Sequence, residues 1–411
     1  MSAIPAIRHA GATLMRDAKH ILIAGGGIGG LTAALALLKR GYDVDVYEQA
    51  GELKEVGAGV QLSANGNRVL FELGVGEAIQ DLSCEASGKE IRLWNSGDTW
   101  KLFDLGAVSV ERYGYPYFTV YRPDLISVLA ATVRAIKPDA IHLGARALGF
   151  SQDADGVTLQ LADGSAGGAA LIGADGVHSK IRQGLFGADA PVFTGLMAWR
   201  GVIPMERLPE RMRRLVATNW VGPGAHIVHY PLHAGSIMNF VGVIERGDWQ
   251  VESWSVSGTT EECLHDFRGW NEDIQLMIKS IDIPYKWALM HRAPLDAWSA
   301  GRVSLLGDAC HSTLPFLAQG AVMALEDGFI LARALDAEPD IAKALLRYEN
   351  ARKARTRRMV EGAADNTKRF HNPELASSAG AAAYVAREWT EEKVRQRYEW
   401  LFTYDVTSVP V

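Results

Sequence analysis

The feature that most restricts the fold is a glycine-rich turn between two short strands near the start of the chain. Residues 19–24 (KHILIA) form an apolar run typical of a buried parallel strand, and residues 43–48 (DVDVYE) alternate as a second strand. Residues 30–40 have helical composition, and Gly41 is suited to end that helix. The sequence therefore predicts a strand–helix–strand unit, the building block of an α/β fold with a parallel sheet.

The glycines of this turn fit the pattern G-x-G-x-x-G at Gly25, Gly27 and Gly30. The first glycine allows the turn, the second lets a pyrophosphate approach the backbone, and the third packs helix against strand. Glu48 ends the second strand, where a carboxylate accepts a hydrogen bond from a ribose hydroxyl and disfavours a 2′-phosphate. The unit therefore predicts a dinucleotide, FAD or NAD rather than NADP. The residues expected to contact it through their backbone are Gly25, Gly27, Ile28, Gly29 and Gly30.

Two further segments place an Asp directly after an apolar strand. One spans residues 173–182 (GADGVHSKIR) and contains Asp175, and the other spans residues 303–312 (VSLLGDACHS) and contains Asp308. Ligands of open α/β sheets bind at the carboxyl ends of the strands, where both carboxylates would lie. In this order the three motifs resemble those of the flavoprotein aromatic hydroxylases, which are single-component FAD-dependent monooxygenases. The resemblance covers about residues 19–350 and is closest to the salicylate, 3-hydroxybenzoate and 6-hydroxynicotinate hydroxylases.

The resemblance implies that FAD is bound, and it assigns roles to residues around the flavin. It implies that Asp308 contacts the ribityl chain and that Asp175 contributes to use of the nicotinamide cofactor. Arg122 matches an arginine at a helix start near the flavin, and Val60 lies in a segment that matches the flavin-flanking loop. Gln61 stands where relatives acting on hydroxynicotinate carry a His, which removes one candidate base.

A helix is expected after the second Gly-Asp motif, with its first amides near Gly320 and Ala321. These amides would face the flavin pyrimidine and stabilise an anionic reduced flavin. Just before them, residues 313–315 (TLP) resemble the Thr-Leu-Pro of salicylate hydroxylases. Hydroxylases for 3-hydroxybenzoate more often carry Gln where this chain has Pro315, which favours an ortho-hydroxybenzoate as substrate.

The segment 224–232 (GAHIVHYPL) alternates strictly and predicts a strand with His226 and Tyr230 on one face. An imidazole there can deprotonate a phenol, and the Tyr can bind the polar end of the substrate. A His and a Tyr at this spacing also occur in the 3-hydroxybenzoate and hydroxynicotinate hydroxylases, so both residues are predicted to be catalytic. The alternative interpretation is that His226 is a structural sheet residue. His229 faces the other way and is interpreted as structural, and His311 is a second candidate polar group near the flavin.

Aromatic side chains suit a pocket for a planar ring, although the eleven tryptophans are also explained by core and subunit packing. Trp220 is one such aromatic residue. The residues predicted to line the substrate pocket are Trp199, His226, Tyr230, Pro315 and Phe316.

These motifs predict a Rossmann-like FAD-binding domain interrupted by an inserted β-sheet substrate domain and followed by a helical segment. The FAD-binding domain would comprise residues 19–190 and 293–345, and the substrate domain residues 191–292. Residues 346–411 would form the C-terminal helical region. The first residues, up to about residue 20, contain no apolar stretch of signal-peptide length and suggest a short extension.

Composition excludes several other classes of function. The chain has 42 Lys and Arg against 48 Asp and Glu, and this net charge of −6 argues against nucleic acid as a partner. Three dispersed cysteines suit a reducing compartment and give no metal site. The longest apolar stretch is interrupted by the glycine turn, so no membrane partner is expected. These features predict a cytoplasmic protein, and its oligomeric state stays open between monomer and homodimer. No second glycine fingerprint marks a separate NAD(P)H domain.

The resemblance implies an NADH- or NADPH-consuming monooxygenase that uses O₂ through a flavin C4a-hydroperoxide to hydroxylate a phenolic aromatic acid. The substrate predicted first is salicylate, converted to catechol with loss of CO₂. The alternatives are a 3-hydroxybenzoate 6-hydroxylase and a 6-hydroxynicotinate 3-monooxygenase. Further alternatives are a flavin oxidase or epoxidase acting on a non-aromatic substrate, and a non-catalytic flavin-binding redox sensor.

Overall fold

The computed structural model describes residues 19–53, 59–248 and 256–411. The predicted N-terminal extension therefore lies outside the described residues, apart from its end. Gly57, in the segment that matches the flavin-flanking loop, also lies outside them.

Nineteen strands lie in the described part of the chain. They are β1 His20–Ala24, β2 Asp43–Glu48, β3 Gly59–Leu62, β4 Cys84–Glu85, β5 Gly88–Leu93, β6 Thr99–Asp104, β7 Phe118–Tyr121, β8 Ile141–Leu143, β9 Ala147–Gln152, β10 Val157–Leu161, β11 Gly164–Gly168, β12 Ala170–Gly173, β13 Val192–Pro204, β14 Val216–Gly222, β15 Ala225–Leu232, β16 Ile237–Glu245, β17 Tyr285–His291, β18 Ser299–Ala300 and β19 Val303–Leu305.

The same described residues form thirteen α-helices. They are α1 Ile28–Leu38, α2 Ala64–Glu72, α3 Gly76–Leu82, α4 Ala107–Tyr113, α5 Arg122–Ile136, α6 Lys180–Phe186, α7 Thr260–Asp266, α8 Glu272–Lys279, α9 Asp308–His311, α10 Gly320–Ala337, α11 Ile341–Phe370, α12 Ser378–Glu388 and α13 Glu391–Phe402. None of the described helices is long and apolar enough to cross a membrane.

A six-stranded sheet in the order β18-β19-β12-β1-β2-β8 forms the centre of the fold. Its strands from β19 to β8 are parallel, and β1 lies between β12 and β2 with Ile21, Leu22 and Ile23 fully buried. Burial on both faces explains why β1 is apolar without alternation. Helices α1 and α10 pack against each other beside this sheet. The predicted α/β fold is confirmed.

A seven-stranded sheet in the order β17-β13-β16-β15-β14-β5-β6 forms the second layer. One face packs against α7 and α8 around Phe240 and Phe267, and the other faces the C-terminal helices and β3. Two of its strands, β5 and β6, come from residues 88–104 and not from the predicted substrate domain at residues 191–292. The domain boundaries remain a prediction.

The C-terminal region is helical as expected, and the 30-residue helix α11 is its longest element. Arg352 on α11 is fully buried and forms ion pairs with Glu326 and Asp327, each at 2.7 Å. Arg355 adds a second contact to Glu326 at 2.8 Å. Because one partner of a buried pair stabilises the other, these pairs fix α11 against α10.

Candidate active site

The three sequence motifs meet at one edge of the central sheet. They follow β1, β12 and β19, which are neighbours, so the parallel strands bring their carboxyl ends together. A Cβ on Gly25 would lie 2.2 Å from the carbonyl oxygen of Ala174, and one on Gly29 would lie 2.4 Å from Leu306 Cδ2. The fingerprint turn therefore packs directly against both Gly-Asp segments.

Each glycine of the fingerprint has a different steric role. A Cβ on Gly30 would lie 2.0 Å from the carbonyl oxygen of Gly25, and the φ of Gly25 is +111°. Both positions therefore require glycine for the protein's own packing. A Cβ on Gly27 would meet no described atom within 4 Å. The open side of Gly27, at the N-terminus of α1, is the space that a pyrophosphate needs.

Glu48 organises the backbone of this turn. Its Oε2 accepts a hydrogen bond from the amide of Gly26 at 2.7 Å, and its Oε1 accepts from the amide of Ala50 at 2.9 Å. The predicted ribose-binding carboxylate thus lies beside the fingerprint, as its position at the end of β2 requires.

The two Asp residues of the Gly-Asp segments differ in what holds them. Asp175 accepts hydrogen bonds from the amides of Lys180 at 2.7 Å and Ile181 at 3.2 Å, and so anchors the start of α6. Burial raises the pKa of Asp175, although these hydrogen bonds act to lower it. Asp308 is exposed at the first residue of α9, after Gly307 with φ of +65°. Its carboxylate faces solvent, where a ribityl hydroxyl can reach it.

The remaining predicted flavin residues start or border elements beside this edge. Val60 on β3 pairs with Val120 on β7, and Arg122 begins α5 directly after β7. Gly320 and Ala321 form the first turn of α10, which has no side-chain cap. The amides at this helix start are therefore available to an anionic group.

His226 and Tyr230 lie on one face of the seven-stranded sheet, as the alternation predicts. His226 pairs with Val243 on β16, and Tyr230 pairs with Asn239. Along an extended strand four residues span roughly 13 Å, so the two side chains lie toward opposite ends of this face of β15.

His226 is enclosed by aromatic rings and a second histidine. Its ring lies 4.9 Å from that of Phe316 and 5.2 Å from that of Phe370, between centroids. Its Nδ1 lies 2.7 Å from Nε2 of His371. Burial, and secondarily His371, lowers the pKa of His226 well below its usual value. The imidazole is therefore neutral at physiological pH, and one of its two ring nitrogens is a hydrogen-bond acceptor.

The Tyr230 end of the face is polar and buried. Tyr230 packs against Gly59 of β3, and the hydroxyl of Tyr117 donates to Gln61 Oε1 at 2.9 Å. Lys89 Nζ lies 3.5 Å from the same Gln61 oxygen. Burial lowers the pKa of Lys89 from 10.5 to about 8, and no carboxylate pairs with it in the described part of the chain. A buried ammonium without a carboxylate partner can be stabilised by an anionic group.

The structure places Trp199 on the opposite face of the sheet and so corrects its assignment to the pocket. Trp199 pairs with Gly242, while its neighbour Ala198 pairs with Val243, the partner of His226. The indole of Trp199 donates to Asp266 at 2.8 Å and packs in the core beneath α7 and α8. Trp220 lies in the same core.

Two other histidines have structural surroundings. His229 lies on the face away from His226, and burial lowers its pKa to about 3. His311 Nε2 lies 2.5 Å from the carboxylate of Asp327, in the buried network of Arg352.

Phe316 borders His226, whereas Pro315 is exposed at the start of a 3₁₀ turn.

Sequence reasoning missed Lys89, Tyr117 and His371. Lys89 stands in the alternating segment GKEIRL of β5, and its position on one face could be found there. Its burial depends on β14 and β3, which lie far away in the chain. His371 follows a long helix with no local signal for a contact to residue 226.

This arrangement is shared with known flavoproteins. A family model described as an FAD binding domain matches residues 18–363, which is most of the chain. The 3-amino-4-hydroxybenzoate 2-monooxygenase PtnB3 of Streptomyces platensis is 38% identical, over 86% of this chain and 89% of that relative. The 3-hydroxybenzoate 6-hydroxylase of Polaromonas naphthalenivorans strain CJ2 is 37% identical, over 94% and 96%. The chain belongs to the flavoprotein aromatic hydroxylases.

A solved structure agrees with this membership. A salicylate hydroxylase in complex with its substrate superposes with a TM-score of 0.77 at 26% identity, covering 95% of this chain and 97% of that one. The predicted family resemblance is confirmed, and the protein is an FAD-dependent aromatic monooxygenase. The residues of this hydroxylase also fit FAD, because Gly27 leaves space at a helix N-terminus and Asp308 is exposed at the adjacent strand end.

Proposed function

We propose that this hydroxylase inserts one oxygen atom from O₂ into a phenolic aromatic acid, with NADH or NADPH as reductant. The observation that carries the proposal is the sheet face with a neutral histidine at one end and a buried, unpaired lysine near the other. FAD, when bound, supplies the chemistry that activates dioxygen for transfer to the ring. The protein's own part is to bind, orient and deprotonate the substrate.

His226 is the proposed base. The phenol proton passes to the imidazole, directly or through a water, and the phenolate that results is a stronger nucleophile. Phe316 and Phe370 exclude bulk water from the ring, which keeps the imidazole neutral and the phenolate reactive.

Lys89 is proposed to bind the carboxylate of the substrate, with Tyr230 and Gln61 beside it. Lys89 pairs with Ala217 on β14, and Ala217 packs with Tyr230, so Lys89 belongs to the Tyr230 end of the face. Asn219 lies between Lys89 and His226 on this face, and its Oδ1 has no partner in the described part of the chain. A substrate amide, hydroxyl or water can donate to that oxygen.

The separation of base and lysine favours a substrate whose hydroxyl and carboxylate are not adjacent on the ring. We therefore propose first an aromatic acid whose hydroxyl lies meta or para to the carboxylate, as in 3-hydroxybenzoate and 6-hydroxynicotinate. Salicylate, the substrate predicted from Pro315 and converted to catechol with loss of CO₂, is the second candidate. The hydroxyl and the carboxylate of salicylate are adjacent on the ring. Salicylate therefore cannot place its hydroxyl at His226 and its carboxylate at Lys89 at the same time.

The test is NADH and NADPH oxidation by the FAD-loaded enzyme with a panel of hydroxybenzoates and hydroxypyridine carboxylates. We expect an acid with its hydroxyl meta or para to the carboxylate to accelerate oxidation and to give a product that carries one oxygen atom from ¹⁸O₂. Acceleration by salicylate alone, with catechol as product, would select the second candidate. If no aromatic acid accelerates oxidation, the proposal fails in favour of an oxidase, an epoxidase or a redox sensor.

A further inference from the structure

The side of the seven-stranded sheet that carries His226 and Tyr230 is called the pocket face. Three residues form a hydrogen-bonded line from this face to the protein surface. His226 Nδ1 lies 2.7 Å from His371 Nε2, and His371 Nδ1 lies 2.9 Å from Glu245 Oε1. His226 and His371 are 1% and 6% exposed, whereas the side chain of Glu245 is 56% exposed. The line therefore joins a buried imidazole to a carboxylate in contact with water.

The chemistry of the three groups determines where the protons lie. A carboxylate only accepts, so His371 must carry its proton on Nδ1 and donate it to Glu245. Burial lowers the pKa of His371, although the carboxylate of Glu245 acts to raise it. His371 is therefore neutral, and its Nε2 carries a lone pair that can accept a hydrogen bond. His226 consequently carries its proton on Nδ1 and donates to His371. Its Nε2 is left as an acceptor, which is the form that a base requires.

The backbone holds the three residues in line. Glu245 ends β16, the neighbour of β15, and its amide donates to the carbonyl of Gly224 at 2.9 Å. The amide of Gly224 donates in turn to the carbonyl of His371 at 3.4 Å. The other rings packed on His226, those of Phe316 and Phe370, do not titrate. The end of β16 and the end of α11 thus fix the line at both of its joints.

We propose that Glu245, His371 and His226 form a proton relay that carries the phenol proton of the bound substrate between the buried pocket and solvent. When the phenol O–H bond breaks, its electron pair stays on oxygen and the proton binds Nε2 of His226. The Nδ1 proton of His226 then moves to His371 Nε2, and the Nδ1 proton of His371 leaves through Glu245 to water. The reverse movement restores both rings, and no oxidant or reductant is needed. His371 and Glu245 act through His226 and are positioning residues.

The first test needs no substrate. We expect ¹⁵N spectra of histidine-labelled, FAD-loaded enzyme to show both rings as neutral tautomers with the proton on Nδ1. The two signals are assigned by their loss in His226→Gln and His371→Gln. A His226 ring with its proton on Nε2, or a cationic His371, would overturn the relay, because Nε2 of His226 could then accept nothing.

The second test measures proton movement and rests on the proposed function. In stopped-flow mixing with 3-hydroxy-4-nitrobenzoate, whose phenolate absorbs visible light, we expect His371→Ala to slow ionisation of the bound probe about 10-fold or more. Added imidazole should restore the rate, which a merely structural role for His371 would not allow. Glu245→Gln keeps a hydrogen-bond acceptor but not the charge, and should slow ionisation less. Glu374→Gln, which removes another exposed carboxylate, serves as the control.

The outcomes separate the two proposals. Unchanged ionisation in His371→Ala, or slowing that imidazole does not reverse, would overturn the relay while the wild type still binds and ionises the probe. A wild-type enzyme that neither ionises the probe nor oxidises NADH faster with any panel member contradicts the proposed function. The tautomers would in that case still decide whether the relay exists.

Discussion

The fingerprint turn and the pocket face solve different problems with different parts of the chain. The turn brings together segments that each follow a neighbouring strand of one parallel sheet, and it works through backbone at Gly25, Gly27 and Gly30. The pocket face works through side chains from β5, β14, β15 and β16, joined by His371 from 145 residues beyond His226. Steric fit controls the first region, and electrostatics controls the second.

The two regions therefore carry different costs. At Gly25 and Gly30 of the turn a single added methyl group would collide with backbone, so tolerance there depends on space. On the pocket face Lys89 lies buried without a carboxylate among its described neighbours, which costs stability until an anion binds. Substitutions that change only the volume of a side chain, or only its charge, should distinguish the two regions.

The largest effect is expected from Gly27→Val. The valine side chain would occupy the open space at the start of α1, so the variant should fold and lose FAD entirely. Flavin absorbance after gel filtration, together with circular dichroism, measures both properties. Gly167→Val on β11 is the matched control, since a Cβ there also meets no described atom within 4 Å. A yellow, fully loaded Gly27→Val protein would contradict the role of this glycine.

The next effect is expected from His226→Ala. The variant should retain FAD and lose hydroxylation by about 10²-fold or more, as expected on removing a general base. His229→Ala, on the same strand but the opposite face, should hydroxylate at close to the wild-type rate. Product formation per NADH consumed is the measurement. Full coupled activity in His226→Ala would exclude it as the base.

How well the sequence predicts each region depends on how far apart in the chain its residues lie. The turn could be predicted in detail because the glycines, Glu48 and the two Gly-Asp segments are local motifs with fixed spacing. The shared face of His226 and Tyr230 could also be predicted, since alternation within one strand determines it.

Relations between strands could not be predicted in the same way. The aromatic ring of Trp199 predicts a place in the pocket, but its face depends on the register of β13 against β16 and β17, and the pairing of β13 with β17 is irregular between Phe193 and Met197. A one-residue change of register moves every side chain to the other face. The burial of Lys89 and the contact of His371 depend on pairings and packing between segments that no local pattern encodes.

Lys89→Met should show opposite effects on binding and on stability. Loss of a charged hydrogen bond, worth about 1.5–3 kcal/mol, should raise the KM for an aromatic acid about 10- to 100-fold. Because burial lowers the pKa of Lys89 from 10.5 to about 8, its charge costs roughly 3 kcal/mol of folding free energy at pH 7. The variant should therefore melt at a higher temperature. A lysine with a purely structural role would instead leave KM unchanged.

The same lysine predicts a pH dependence of substrate binding. The folded state holds the proton of Lys89 only below pH about 8, so the affinity for an anionic ligand should fall as pH rises through that value. A bound carboxylate favours the ammonium and moves the loss to somewhat higher pH. Titration of ligand binding by flavin fluorescence measures this, and Lys89→Met should remove the alkaline limb.

The smallest effect is expected from Trp199→Phe, which tests whether the two faces of the sheet are independent. The substitution removes the 2.8 Å hydrogen bond to Asp266 and part of a buried ring, so unfolding should become easier by about 1–3 kcal/mol. Since Trp199 packs beneath α7 and α8, KM and the coupling of NADH oxidation to hydroxylation should not change. Chemical denaturation and steady-state kinetics on one preparation compare both quantities. A raised KM with unchanged stability would return Trp199 to the pocket and require a different register for β13.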